Sequence, residues 1–274
     1  MDKCCWLTVE RLTSKAKYEV KRGVVMSQKN ILVIGGASGI GKDVVFSRAN
    51  NGDTVFFTDL NKEAGESLQK QVEENGGKSV FIQHNVTSWQ ETKAIIDNIL
   101  NNYGKIDALV HSAGITFTKS WDNLTYHDWR KTFQVNLTGL FYSIKAILPS
   151  MLKNGGGKIV IVGSGSSITG SGGGVHYAGS KGGAIGLMRA VAKEYSHQGI
   201  NINLIAPRVI KTPMLEELYP TKESKEQLIN KIPSRKLGTL SDTTNAINFL
   251  ISDESSYIQG NVLLLDGGRT YLSS

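Results

Sequence analysis

Residues 31–41 read ILVIGGASGIG, and the order of events in that stretch decides the fold. Ile31 to Ile34 form a continuous apolar run, which suits a strand covered on both faces better than one with a wet side. Gly35, Gly39 and Gly41 follow at once, and a helix is predicted from Gly39 to Asn51. A strand that passes through glycines into a helix leaves free N–H groups and the positive end of the helix dipole at the turn, where an anion can sit.

Outward from that stretch the same alternation repeats. Strands are predicted at Ile31–Ile34, Thr54–Thr58, Ser79–Ile82, Ile106–Val110, Lys158–Val162, Ile200–Ile205 and Asn261–Leu265. Helices are predicted over Lys62–Asn75, Thr87–Tyr103, Trp129–Leu152 and Tyr177–Gln198. Short apolar strands alternating with helices imply an α/β protein: one Rossmann-type, doubly wound domain, its seven-stranded parallel sheet covered by helices on both faces. Neither a repeat nor a linker divides residues 27–274.

Residues 1–26 read as an N-terminal extension, predicted to be disordered, with Met26 as an alternative natural start. They hold six basic and three acidic side chains, so only +4 of the chain's +7 falls on the remaining 248 residues. That remainder has no dense basic stripe, and a nucleic-acid partner is not expected. Both cysteines, Cys4 and Cys5, lie in the extension, which leaves no disulfide framework or thiolate metal site elsewhere and fits a reducing, cytoplasmic setting. The extension lacks the apolar core of a secretory signal, and no apolar run approaches the ~20 residues of a membrane span.

Asp59 closes the second strand, 18 residues after Gly41. A carboxylate there can accept hydrogen bonds from both hydroxyls of an adenosine ribose and repel a 2′-phosphate; it can equally be a turn or cap residue of the next helix. No Arg or Lys adjoins it, so NAD is the expected dinucleotide, with no metal.

Tyr177 and Lys181 form a Tyr-x-x-x-Lys pair, which alone means little: nine tyrosines and 23 lysines among 274 residues give about 0.8 such matches by chance. Their setting gives the pair weight. On a helix the two face one way, and an ammonium beside a phenol is expected to lower its pKa toward the range useful for proton transfer. Ser164, 13 residues before Tyr177 at the end of the fifth strand, can bond the same substrate oxygen.

With these motifs in place, residues 29–269 resemble the short-chain dehydrogenase/reductase family. Gly35, Gly39 and Gly41 match its glycine motif, Asp59 its NAD-selecting acid, and His111-Ser-Ala-Gly114, loosely, its Asn-Asn-Ala-Gly segment. Asn136, Ser164, Tyr177 and Lys181 match its catalytic residues. The resemblance implies a secondary alcohol and a ketone interconverted by hydride transfer. Tyr177 would be the general acid/base, Ser164 would orient the oxygen, and Lys181 would hold the nicotinamide ribose. Asn136 would keep a water in a relay behind that lysine. It also implies an NAD(H) site formed by Gly35, Ser38, Gly39, Ile40, Gly41, Asp59, Asn85, Val86, Ser112, Ala113, Gly114, Tyr177, Lys181, Pro207, Val209 and Thr212. The terminal segment from Tyr257 to Gly268 resembles the family's tetramer-forming region, so a homotetramer is expected.

Four departures from the family's pattern involve five residues. Ile34 replaces a threonine before the first glycine, and Asn85 replaces an aspartate that reads the adenine amine, with an amide oxygen still able to accept. His111 and Ser112 replace two asparagines, His111 with a structural rather than catalytic role expected. Arg208 replaces the glycine after Pro207; the cofactor pyrophosphate, a substrate anion, or simply solvent are its possible destinations. The substrate stays open between a steroid, a sugar or polyol, a simple secondary alcohol and a 3-oxoacyl thioester, the polar segment Pro213–Ser234 being the expected cap. A non-catalytic NAD(H)-sensing protein is the alternative to an enzyme.

Overall fold

The computed structural model describes residues 28–272, apart from 212–214 and 216–218. Its seven strands are β1 (Asn30–Ile34), β2 (Thr54–Asp59), β3 (Lys78–Gln83), β4 (Ala108–His111), β5 (Gly157–Val162), β6 (Ile200–Pro207) and β7 (Val262–Leu265). They form one sheet in the order β3-β2-β1-β4-β5-β6-β7, and every pairing is parallel. The sequence-predicted extension, Thr212 and part of the predicted cap lie outside the described residues.

Because side chains alternate along a strand, neighbouring residues feed two separate cores. Leu32, Ile34, Phe56, Leu109, Ile159 and Ile161 pack on one face beneath α3 (Trp89–Tyr103), α5 (Gly139–Lys153) and α7 (Gly174–Tyr195). Ile31, Val33, Val55, Phe57, Val110 and Val160 pack on the other beneath α1 (Gly39–Asn50), α2 (Lys62–Glu74) and α9 (Leu240–Leu250). Both cores cover strands that read as unbroken apolar runs. The order of the sheet reverses between β1 and β4, and the C-terminal ends of those two strands open the crevice where such sheets take their ligands.

The region expected as one helix from Trp129 to Leu152 is built in three parts: α4 (Tyr126–Phe133), a π-helical turn (Gln134–Thr138) and α5. Together they make Tyr126–Lys153, a helix long and apolar enough to cross a membrane, although no single run in the sequence announces it. Half of its most apolar window is buried in the protein, as in a core helix that covers a sheet. Helices α6 (Ser166–Thr169), α8 (Lys222–Asn230) and α9 were not anticipated; α8 and α9 start with capping boxes, Thr221 with Ser224 and Thr239 with Asp242.

Candidate active site

The glycine turn after β1 is fixed by backbone hydrogen bonds and by close contact. Gly35 and Gly36 both donate to Thr58 O on β2, at 2.8 and 2.9 Å. A Cβ on Gly41 would lie 2.0 Å from Gly35 O, and one on Gly35 would lie 2.5 Å from Ala113 N, so neither position admits a side chain. Gly39 adopts φ +52° with open space where a Cβ would stand. The N-cap of α1, Ser38, makes no side-chain cap bond, and the first turn of α1 carries no acid, unlike the capped starts of α2, α3, α4, α8 and α9. The first amides of α1 thus face an open cradle, the donor set that a pyrophosphate requires.

Asp59 is not the cap of α2; that is Asn61, whose side chain accepts from Ala64 N at 3.0 Å. Its Oδ2 instead accepts from Ala37 N in the glycine turn at 3.1 Å, and Oδ1 from Asn61 N at 3.1 Å. Each oxygen keeps a lone pair for a ribose hydroxyl at the edge of the crevice. Asn85 departs from expectation. Its amide oxygen already accepts from Thr87 N at 3.1 Å and Thr87 Oγ1 at 2.8 Å in a turn that leads into α3, so it is not free to read an adenine amine. Val86 packs on Gly139 at the start of α5, where a Cβ would lie 2.6 Å from Val86 Cγ2.

The π-helical turn carries Asn136, and that turn has a reason. Asn136 Oδ1 accepts from Ile115 N at 2.8 Å while its Nδ2 donates to Ile115 O and to Ser180 Oγ, both at 3.0 Å. One side chain thereby ties the segment after β4 to α7. Gly114 lies where the two meet: a Cβ there would stand 3.2 Å from Lys181 Nζ and 3.3 Å from Asn136 Oδ1. Ser112 extends the sheet pairing through its N–H to Ile34 O at 2.8 Å.

Lys181 is buried on α7 and donates to Val162 O at 2.9 Å. Burial lowers its pKa to about 8. Tyr177, one turn earlier, is half-buried with its ring centroid 5.8 Å from that ammonium. Its pKa is raised, first by burial of the phenolate and against the pull of a hydrogen bond with Ser164. This reverses the expected direction: the ammonium donates one of its N–H groups to a backbone carbonyl, and desolvation decides the phenol's state. Ser164 also reaches Ser166 Oγ at 3.1 Å, and Ser166 Oγ donates to Gly172 O at 3.0 Å, which links Ser164 to the glycine loop beside it. Ser164, Tyr177 and Lys181 therefore converge at the C-terminal end of β5.

Pro207 ends β6, and its carbonyl accepts from Gly165 N at 3.0 Å. Val209 holds φ 62°, a left-handed conformation costing roughly 1–3 kcal/mol for a β-branched residue; its carbonyl accepts from Gly238 N at 3.1 Å. Arg208 has protein partners that the sequence did not suggest: its guanidinium bonds Thr270 Oγ1 and Ser171 Oγ, each at 3.0 Å. Ser166, Ser171, Ser180 and Thr270 were missed because a lone hydroxyl has no sequence pattern; only the segments holding them, rich in glycine and serine, were visible. His111 is wholly buried, with no partner for either ring nitrogen among the described residues, and its pKa is lowered to about 3 by burial, by Lys181 and by His84. Two hollows elsewhere, of ≈ 450 Å³ beside Phe56 and Tyr103 and ≈ 360 Å³ beside Ile168 and Tyr271, include none of Ser164, Tyr177 and Lys181.

Residues 35–270 match the family described as Enoyl-(Acyl carrier protein) reductase. The chain is 38% identical over 240 residues to the 3-oxoacyl-[acyl-carrier-protein] reductase FabG of Thermotoga maritima, covering 88% of this chain and 97% of that one. It is 34% identical over 248 residues to the protein of the same name from Haemophilus influenzae, covering 90% and 100%. Among solved structures it is similar to levodione reductase, with a TM-score of 0.84 and 29% identity over 89% of this chain and 98% of that one. It is also similar to 7α-hydroxysteroid dehydrogenase complexed with NADH and 7-oxo glycochenodeoxycholic acid, with a TM-score of 0.82 and 31% identity over 88% and 93%.

Proposed function

The chain belongs to the short-chain dehydrogenase/reductase family of oxidoreductases, and on that premise we propose that it reduces the ketone of a 3-oxoacyl thioester to the secondary alcohol, using NADH. The observation that carries the reaction type is the convergence of Ser164, Tyr177 and Lys181 at the end of β5. The relatives matched over 97% and 100% of their own length favour the thioester over the other alcohol classes left open by the sequence.

The residues present fit a nicotinamide dinucleotide. The open amides of α1 would hold its pyrophosphate, and Asp59 would hold the adenosine ribose. Gly114, with no side chain, leaves room beside Lys181 and Asn136. When bound, the cofactor supplies the hydride. The chain's own task is the proton. Tyr177, protonated at neutral pH because burial disfavours its phenolate, donates to the carbonyl oxygen as charge develops there. Ser164 has one hydroxyl proton, which serves the same oxygen once it leaves Ser166. Lys181, charged below about 8, steadies the phenolate that the transfer leaves behind.

The carboxylate of Asp59 supports NADH over NADPH, because a 2′-phosphate would meet a like charge. The experiment is NADH and NADPH oxidation with acetoacetyl-CoA as the thioester probe, against a steroid ketone, a sugar ketone and a simple ketone. Turnover of the thioester at least tenfold above the others supports the proposal, and none with the thioester overturns it. A neutral ketone is the second reading, favoured by the likeness to a hydroxysteroid dehydrogenase complexed with NADH. We further propose a cytoplasmic homotetramer acting on a small-molecule substrate, with no membrane or nucleic-acid partner. Exposed Ile168, Leu263, Tyr271 and Leu272 near β7 support self-association, and sedimentation velocity tests it.

A further inference from the structure

Arg208 follows Pro207 at the end of β6, and its backbone N–H continues the pairing to Leu265 O at 2.9 Å. Its aliphatic stem lies on Gly165, where an added Cβ would stand 2.9 Å from Arg208 Cβ and 3.0 Å from Cδ. Beyond the stem, the guanidinium forks: Nη1 donates to Thr270 Oγ1 and Nη2 to Ser171 Oγ, both at 3.0 Å. Both partners are neutral.

Each end of this bridge is itself organised. Asp266 accepts from Gly268 N at 2.8 Å and Thr270 N at 2.7 Å, which shapes the C-terminal turn that presents Thr270. Ser171 Oγ also bonds Thr169 Oγ1 at 2.9 Å. Around Ser171 the backbone has little preference of its own. Gly170, Gly172, Gly173 and Gly174 all hold positive φ, between 68° and 87°, and glycine loses more freedom on ordering than any other residue.

That loop touches Tyr177 directly and reaches Ser164 through Ser166. Gly172 O accepts from Ser166 Oγ, which Ser164 reaches in turn. Gly173 abuts the Tyr177 ring so closely that a Cβ would lie 2.5 Å from Tyr177 Cδ1. A fork donating two bonds to two separate segments fixes both at once, as a single-point lysine cannot.

We propose that Arg208 is a positioning residue: a tie that pins the glycine loop Gly170–Gly174 to the C-terminal turn and so fixes the pocket wall beside Ser164 and Tyr177. Its effect falls on the carbonyl substrate, not on dinucleotide binding. The kinetic half of the proposal rests on the carbonyl chemistry proposed above; the structural half does not.

Two measurements test it on the full chain. In hydrogen exchange, Thr270→Val is expected to speed exchange several-fold at Thr169, Gly170 and Ser171, which Thr270 reaches through Arg208, and to add nothing in an Arg208→Gln background. An unchanged loop in Thr270→Val, or an effect that persists without Arg208, overturns the tie. In kinetics, Arg208→Gln and the milder Ser171→Ala are expected to raise KM for the ketone about fivefold, with a smaller fall in kcat and a Kd for NADH within about twofold of the parent. An unchanged KM, or a KM that rises in step with the NADH Kd, overturns the role. A parent inactive on every ketone refutes the proposed reaction, while the exchange result still decides the tie.

Discussion

Lys181 donates to the carbonyl of Val162 at 2.9 Å, two residues before Ser164 on the same strand end. This bond locks the helix that carries Tyr177 to the strand that presents the serine. It also commits a buried ammonium to a neutral acceptor, so burial decides its titration and brings its pKa down to about 8.

The pH dependence of reduction follows from that titration. The charged lysine is present below about 8 and lost above it, while the raised Tyr177 phenol stays protonated through neutrality. kcat/KM for ketone reduction should therefore be flat from about pH 6 to just under 8 and fall about tenfold per unit well above it. A stopped assay across this range checks the limb; a profile flat to about pH 10 would rule out a role for the Lys181 charge.

Asp59 should set cofactor choice. A like-charged 2′-phosphate near it costs about 1 kcal/mol in a fully hydrated setting and more where water is excluded, so the parent should favour NADH by about tenfold or more in kcat/KM. Asp59→Asn removes the charge and keeps one of the two oxygens that accept from Ala37 N and Asn61 N, and should narrow that preference several-fold. If NADPH is the better substrate for the parent, the assignment of Asp59 is wrong.

His111 should govern part of the acid sensitivity of the fold. It is a base whose folded pKa is depressed, so the unfolded chain takes up a proton near 6.5 while the folded protein does so only near 3. Stability is whole above about 6.5 and lost as pH falls through that window. At about pH 5 the loss reaches about 2 kcal/mol. Urea unfolding at about pH 7 and 5 should show His111→Asn losing that much less than the parent; equal losses would place the titration elsewhere.

How much the sequence revealed depended on whether a residue's role is set locally. β1 and β2 were legible because a strand covered on both faces must read as an unbroken apolar run. The Gly35–Gly41 turn was legible because Gly41 stands where only glycine fits against Gly35 O. The π-helical turn at Asn136 was not, since it depends on bonds to Ile115 and Ser180, far along the chain. The protein partners of Arg208 were hidden for the same reason: they lie 37 residues upstream and 62 downstream. For Tyr177 the pattern identified the residue but not the sign of its shift, because a neighbouring cation is visible in sequence and desolvation is not.

The most direct test of the central claim is NADH oxidation with acetoacetyl-CoA by the parent and Tyr177→Phe, alongside NADH binding by fluorescence. The phenol's proton transfer is worth about 10²–10⁴-fold, so the variant should lose at least a hundredfold in turnover while its Kd for NADH stays within about twofold. Turnover by Tyr177→Phe within about tenfold of the parent would contradict the account.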